Sequence, residues 1–192
     1  MAFPIEQQSH HCTLEVTALL NSPASVKLHY RVRNNTDQIL FLFNRFWTSI
    51  NANGEYQVQP NMVNVQASSA RVVVSKAVVA VPEDMEVEKH YTPCLSRLGP
   101  HDTYEETLEI PVPLVPFTWY QAPWNIPAAG TEQLALRPLY FELGYLVVSP
   151  EREAIITQVA TSQEPAYFWA TEPEDQLLVG AGPLLPSIEV LL

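Results

Sequence analysis

The sequence predicts an all-β sandwich. Three observations carry this: apolar and polar residues alternate with period two in many short segments, turn residues separate those segments, and no convincing amphipathic helix or βαβ alternation occurs. The chain has 192 residues, 47% hydrophobic and 16% charged, with 17 Pro, 6 Gly and 2 Cys. That apolar fraction suits a globular protein, and the counts exclude a collagen, a coiled coil and a disulfide-dense miniprotein.

Val26, Leu28, Tyr30 and Val32 share one parity, while Lys27, His29, Arg31 and Arg33 share the other. Leu14 to Ala18 alternates likewise, and Asn21-Ser22-Pro23 is turn chemistry, so residues 12–33 read as a hairpin. Gln38 to Phe43 is apolar on both parities, as a strand covered on both faces would be. Asn53-Gly54 suits a tight bend, followed by short strands near Tyr56–Val58 and Met62–Val65. The Val-rich stretch Arg71 to Val81 and the run Thr103–Val112 read as further strands. Residues 83–102 are less regular.

Pro111, Pro113, Pro116, Pro123 and Pro127 interleave with Phe117, Trp119, Tyr120 and Trp124, which predicts a long ordered loop over 113–131. Leu139–Val148 reads as a strand with Gly144 as a bulge, and short strands are expected at 154–160, 166–169, 177–179 and 188–192. The expectation is one domain over 1–192: a core module at 12–112, the proline/aromatic loop, and added strands in 132–192.

The run Tyr30 to Phe43, an alternating strand ending in Asn34, a Thr36-Asp37 turn and an apolar strand, resembles a recurrent pattern of immunoglobulin-like β-sandwich modules. Leu98-Gly99-Pro100-His101-Asp102-Thr103, leading into Leu108 to Pro111, is similar to a later turn and strand of the same modules. Bacterial intracellular proteinase-inhibitor-like domains are among them. The resemblance covers residues 12–112 and implies an immunoglobulin-like antiparallel sandwich, here enlarged by C-terminal strands. It carries no catalytic position. Cys12 and Cys94 are not placed like an antibody inter-sheet bridge, and whether they pair stays open.

Net charge is −11 and uneven: residues 1–76 hold six Lys/Arg and four Asp/Glu, residues 77–192 four and seventeen. Such a surface repels phosphate backbones, so no nucleic-acid role is expected. No apolar run reaches membrane-span length, and the start MAFPIEQQSHH has no secretory pattern, which predicts a cytoplasmic protein without membrane contact.

No G-x-S-x-G elbow, P-loop or G-x-G-x-x-G occurs, and acidic pairs such as Glu105-Glu106 read as solvated surface. No enzyme activity, cofactor or resident metal is therefore expected. The aromatic set Phe117, Trp119, Tyr120, Trp124 and Trp169 forms the candidate binding residues; the competing reading folds these rings back as a cap on one end of the sandwich. The expected function is a protein-binding or self-assembly module using a sheet edge and segment 113–127. Carbohydrate or small-ligand binding on a coplanar platform of Trp119, Tyr120 and Trp124 is the alternative, and a metal-dependent enzyme at His90, Cys94 and His101 is the third.

Overall fold

The computed structural model describes residues 4–83, 85–87, 90–120 and 133–192, and strands dominate it. The smaller sheet has the order β1 (Ile5–Gln8), β2 (Cys12–Ser22), β3 (Ser25–Asn34) and β10 (Thr103–Pro111), every neighbour antiparallel. The alternation of β3 is realised in full: Val26, Leu28, Tyr30 and Val32 are buried and Lys27, Arg31 and Arg33 are exposed.

The larger sheet contains β4 (Ile39–Arg45), β7 (Asn64–Ala67), β8 (Val72–Lys76), β9 (Cys94–Leu98), β11 (Leu134–Val148), β12 (Thr157–Val159), β13 (Ala166–Phe168) and β14 (Leu177–Leu191). A separate hairpin joins β5 (Trp47–Ile50) to β6 (Tyr56–Val58). One helical turn, α1 (Pro150–Glu153), follows β11. Among the described residues no helix is long and apolar enough to cross a membrane.

β11 organises the larger sheet. Leu143 pairs with both Lys76 and Val179, and Tyr145 with both Leu42 and Leu177. A strand residue has one neighbour on each edge, so β14 takes one edge of β11 while β4 and β8 share the other, end to end. β4 is antiparallel to β11, but β8 is parallel to it, so the sheet is not wholly antiparallel as expected.

The inward residues of both sheets share one core, including Leu28, Tyr30, Leu42, Val74, Leu108, Phe141 and Val190. The other face of β4 carries Phe41 and Phe43, which pack with Leu95, Leu146, Val148 and Ile156 in a second cluster. This is why residues 39–43 are apolar on both parities.

Several sequence expectations shift. Gly54 is the fourth residue of a five-residue loop between Ile50 and Tyr56 rather than part of a two-residue bend, with φ +80 and the Asn51 Oδ1 accepting from the amides of Asn53 and Glu55. The Val-rich strand stops at Lys76, and the irregular stretch 83–102 contains β9. The two short terminal strands are one long β14, whose Pro183 and Pro186 fall where the pairing register with β11 shifts, so neither interrupts a regular ladder.

Gly144 is no bulge; the irregularities of β11 lie between Arg137 and Phe141. A Cβ at Gly144 would sit 2.4 Å from Gln176 Oε1 and 3.1 Å from the Cα of Ala77. The Gln176 side chain crosses β11 there and bonds the Val78 main chain twice, accepting from N–H at 2.9 Å and donating to C=O at 2.7 Å. Gly144→Ala should therefore cost about 1–3 kcal/mol through overpacking. In a double-mutant cycle with Gln176→Ala, measured by urea unfolding, the two losses should be less than additive. Full additivity would mean the side chain does not cross at this residue.

The proline segment is stitched to the sheet. Leu114 bonds β14 on its outer edge (Leu114 N to Glu189 O 2.8 Å, Leu191 N to Leu114 O 2.9 Å). Three residues later Phe117 pairs with Val65 on the outer edge of β7 through bonds of 2.7 and 2.9 Å. The chain itself thus bridges two edges of the larger sheet, at one position on each. Residues 121–131 of the expected loop lie outside the described residues.

Candidate functional site

Aromatic side chains from distant segments converge in one cluster. Trp47 comes from β5, Tyr56 from β6, Tyr91 from the approach to β9, Trp119 and Tyr120 from the proline segment, and Phe168 from β13. The polar atoms of Trp47, Tyr91 and Tyr120 are used internally. The Tyr91 hydroxyl donates to Trp47 O and accepts from Trp47 N–H, both at 2.8 Å. Trp47 Nε1 donates to Thr92 O at 3.0 Å, and Tyr91 N–H donates to the Tyr120 hydroxyl at 2.9 Å. Burial, the largest influence, pushes the Tyr91 hydroxyl pKa well up.

Phe46, Tyr91 and Tyr120 are buried at the base of this cluster. Trp119 stacks on Tyr91, with centroids 4.1 Å apart and planes at 18°, and remains 37% exposed. A partly exposed row then runs from Trp119 to Trp47 (6.0 Å, 45°), Tyr56 (5.1 Å, 88°) and Phe168 (5.7 Å, 30°). The rings are ridged rather than coplanar.

The expected binding residues divide. Trp119 and Tyr120 meet in this cluster, one at its surface and one beneath. Phe117 is half-buried and held at the edge of β7. Trp169 packs against the second core around Phe41 and Leu95, away from the row. Trp124 lies outside the described residues. Phe168 belongs to the wider aromatic set that the sequence marks out together with Tyr167, whereas Trp47, Tyr56 and Tyr91 were not singled out by sequence reasoning, because nothing local distinguishes them from core aromatics.

No family model, curated protein or solved structure matches the chain.

A second arrangement lies inside. Lys76, at the end of β8, is fully buried. Its Nζ donates to Asn44 O at 3.0 Å and Pro60 O at 2.7 Å and faces Glu106 Oε1 of the opposite sheet at 3.8 Å. The other Glu106 oxygen accepts from the Tyr30 hydroxyl and, at 3.5 Å, from Asn44 Nδ2. The Phe46 ring centroid lies 5.3 Å from the ammonium. Here β4 and β8 end against one another, so main-chain carbonyls lack ladder partners and the lysine supplies donors. Burial draws the Lys76 pKa down to about 8, with Glu106 opposing that shift. Burial likewise pushes Tyr30 well up and Tyr104 up to about 12.

The sequence did carry a signal for this cluster. Lys76 has the parity of Val72 and Val74, Asn44 that of Leu40 and Leu42, and Glu106 that of Leu108 and Ile110, all core-facing. Glu106 is therefore not the solvated surface carboxylate expected, whereas Glu105 is exposed and pairs with Arg31 at 3.1 Å.

The three residues of the metal reading point to separate partners. His90 contacts Glu172, His101 contacts Asp37 at 2.9 Å, and Cys94 is buried, its thiol pushed up to about 12 by burial. Among the described residues no group of three or more His, Cys, Asp and Glu has the arrangement of a metal site. Both cysteines are free thiols.

Proposed function

We propose that this chain is an immunoglobulin-like β-sandwich module that works by binding protein and carries out no chemistry on a substrate. Its contact surface is the row Trp119, Trp47, Tyr56 and Phe168. One observation supports this most: the rings are partly exposed while the polar atoms of Trp47 and of the underlying Tyr91 and Tyr120 are bonded inside. What faces outward is rigid aromatic area, the material of interface hot spots.

The ring angles favour a protein over a sugar. Planes tilted by 45° and 88° make ridges that side chains fill, whereas a sugar face stacks on a flat platform. Glu55, Glu164 and Glu172 belong to the segments that carry or adjoin the rings, which suits a partner segment bearing Arg or Lys. The sheet-edge part of the expectation narrows, because Leu114 and Phe117 each take one position on the outer edges of β14 and β7.

Selection from a displayed random-peptide library should enrich cationic, aromatic sequences. Trp119→Ser should weaken the selected peptides at least about tenfold, the size of a hot-spot loss, with thermal stability unchanged. Undiminished peptide binding by Trp119→Ser, or saturable binding to a glycan array in place of peptides, would overturn this reading.

A further inference from the structure

We propose that Lys76 and Asn44 become joined by an intramolecular amide bond, with Glu106 as the proton relay. The three side chains come from β8, β4 and β10 and meet between the sheets where β4 and β8 abut. Forming such a bond requires a proton to travel from one nitrogen to the other. Glu106 presents one oxygen to each: Oε1 lies 3.8 Å from Lys76 Nζ, and Oε2 lies 3.5 Å from Asn44 Nδ2. The bond from Nζ to the main-chain oxygen of Asn44, 3.0 Å, holds the amine beside the residue it attacks.

Asn44 is 1% exposed, and its Oδ1 has no hydrogen-bond partner among the described residues. A buried carboxamide retained only for hydrogen bonding would have that oxygen satisfied. Its Nδ2 faces the relay, and its carbonyl is left open to addition.

The step balances without any outside reagent. The unprotonated Nζ attacks the Asn44 Cγ, and the Nζ–Cγ bond forms. The Glu106 carboxylate takes the proton that Nζ releases and passes one to Nδ2. The Cγ–Nδ2 bond breaks and ammonia departs, leaving one secondary amide and Glu106 again as carboxylate. Nothing is oxidised or reduced. The lowered Lys76 pKa, about 8, makes the unprotonated amine far more abundant at neutral pH than on an exposed lysine. The apolar surroundings, with Phe46 over the amine and Phe141 against Tyr30, keep out the water that competes for Cγ.

Intact mass of the purified full chain, measured after denaturation, tests this directly. The expected mass is lower than the sequence mass by one ammonia. Tryptic digestion should give peptide 34–45 linked to peptide 72–89, uncut after Lys76. E106Q, which preserves shape but cannot relay a proton, should show the full mass and free tryptic cleavage at Lys76. Full mass in the folded natural chain, or the ammonia loss persisting in E106Q, would overturn the proposal.

Discussion

Glu106→Ala is expected to lose about 3–5 kcal/mol of unfolding stability, because without the Glu106 relay Lys76 stays an unreacted amine whose buried charge has no partner. Lys76 has no route to water in the folded chain, and its remaining contacts are two main-chain carbonyls and the Phe46 ring. The substitution also orphans the Tyr30 hydroxyl, which donates to Glu106. Adding Lys76→Met should return a large part of the loss, because the thioether chain fills similar space without a charge. Urea unfolding of the single and double variants decides the matter. A Glu106→Ala chain as stable as the natural one would show that the lysine reaches solvent and that the junction of β4 and β8 is not closed.

The second large effect is expected at Trp47. Trp47→Ala should cost about 3 kcal/mol, at the lower end for aromatic truncation because the residue is only half-buried. Its ring touches Tyr56, Tyr91 and Trp119, and its Nε1 fixes Thr92. Trp119→Ala, by contrast, should cost less than about 1 kcal/mol, since its ring rests on Tyr91 from outside. Thermal unfolding of both variants separates the two roles. Equal losses would make Trp119 part of the core and remove the first ring from the proposed contact surface.

Period-two alternation was legible wherever one face of a strand is wet, as in β2, β3 and β10. The double coverage of β4 was equally plain from Ile39 to Phe43. Legibility failed where pairing depends on distant partners. Cys94 to Leu98 has no regular alternation and lies between prolines, yet β4 and β13 recruit it as β9. Gly182, Pro183 and Pro186 argue locally against one strand, and only the register shifts opposite β11 accommodate them. The aromatic row was half visible: Trp119 announced itself among prolines, but Trp47, Tyr56 and Phe168 become neighbours only through the packing of β5, β6 and β13. The polar junction was less legible despite its core-facing parity, since a lysine ending a valine run and a glutamate beside a second glutamate look like ordinary surface.

The placement of β11 bears on how the chain comes into being at the ribosome. β4, β8 and β14 all take β11 as a neighbour, and the β8 pairing spans residues 72–76 and 139–143. Residues 39–76 are synthesised long before that neighbour emerges, so Leu40 to Phe43 and Val72 to Val74 have unfilled edges for that interval. Formation of the larger sheet must wait for late residues, and pairing across such sequence separation is the kind that slows folding.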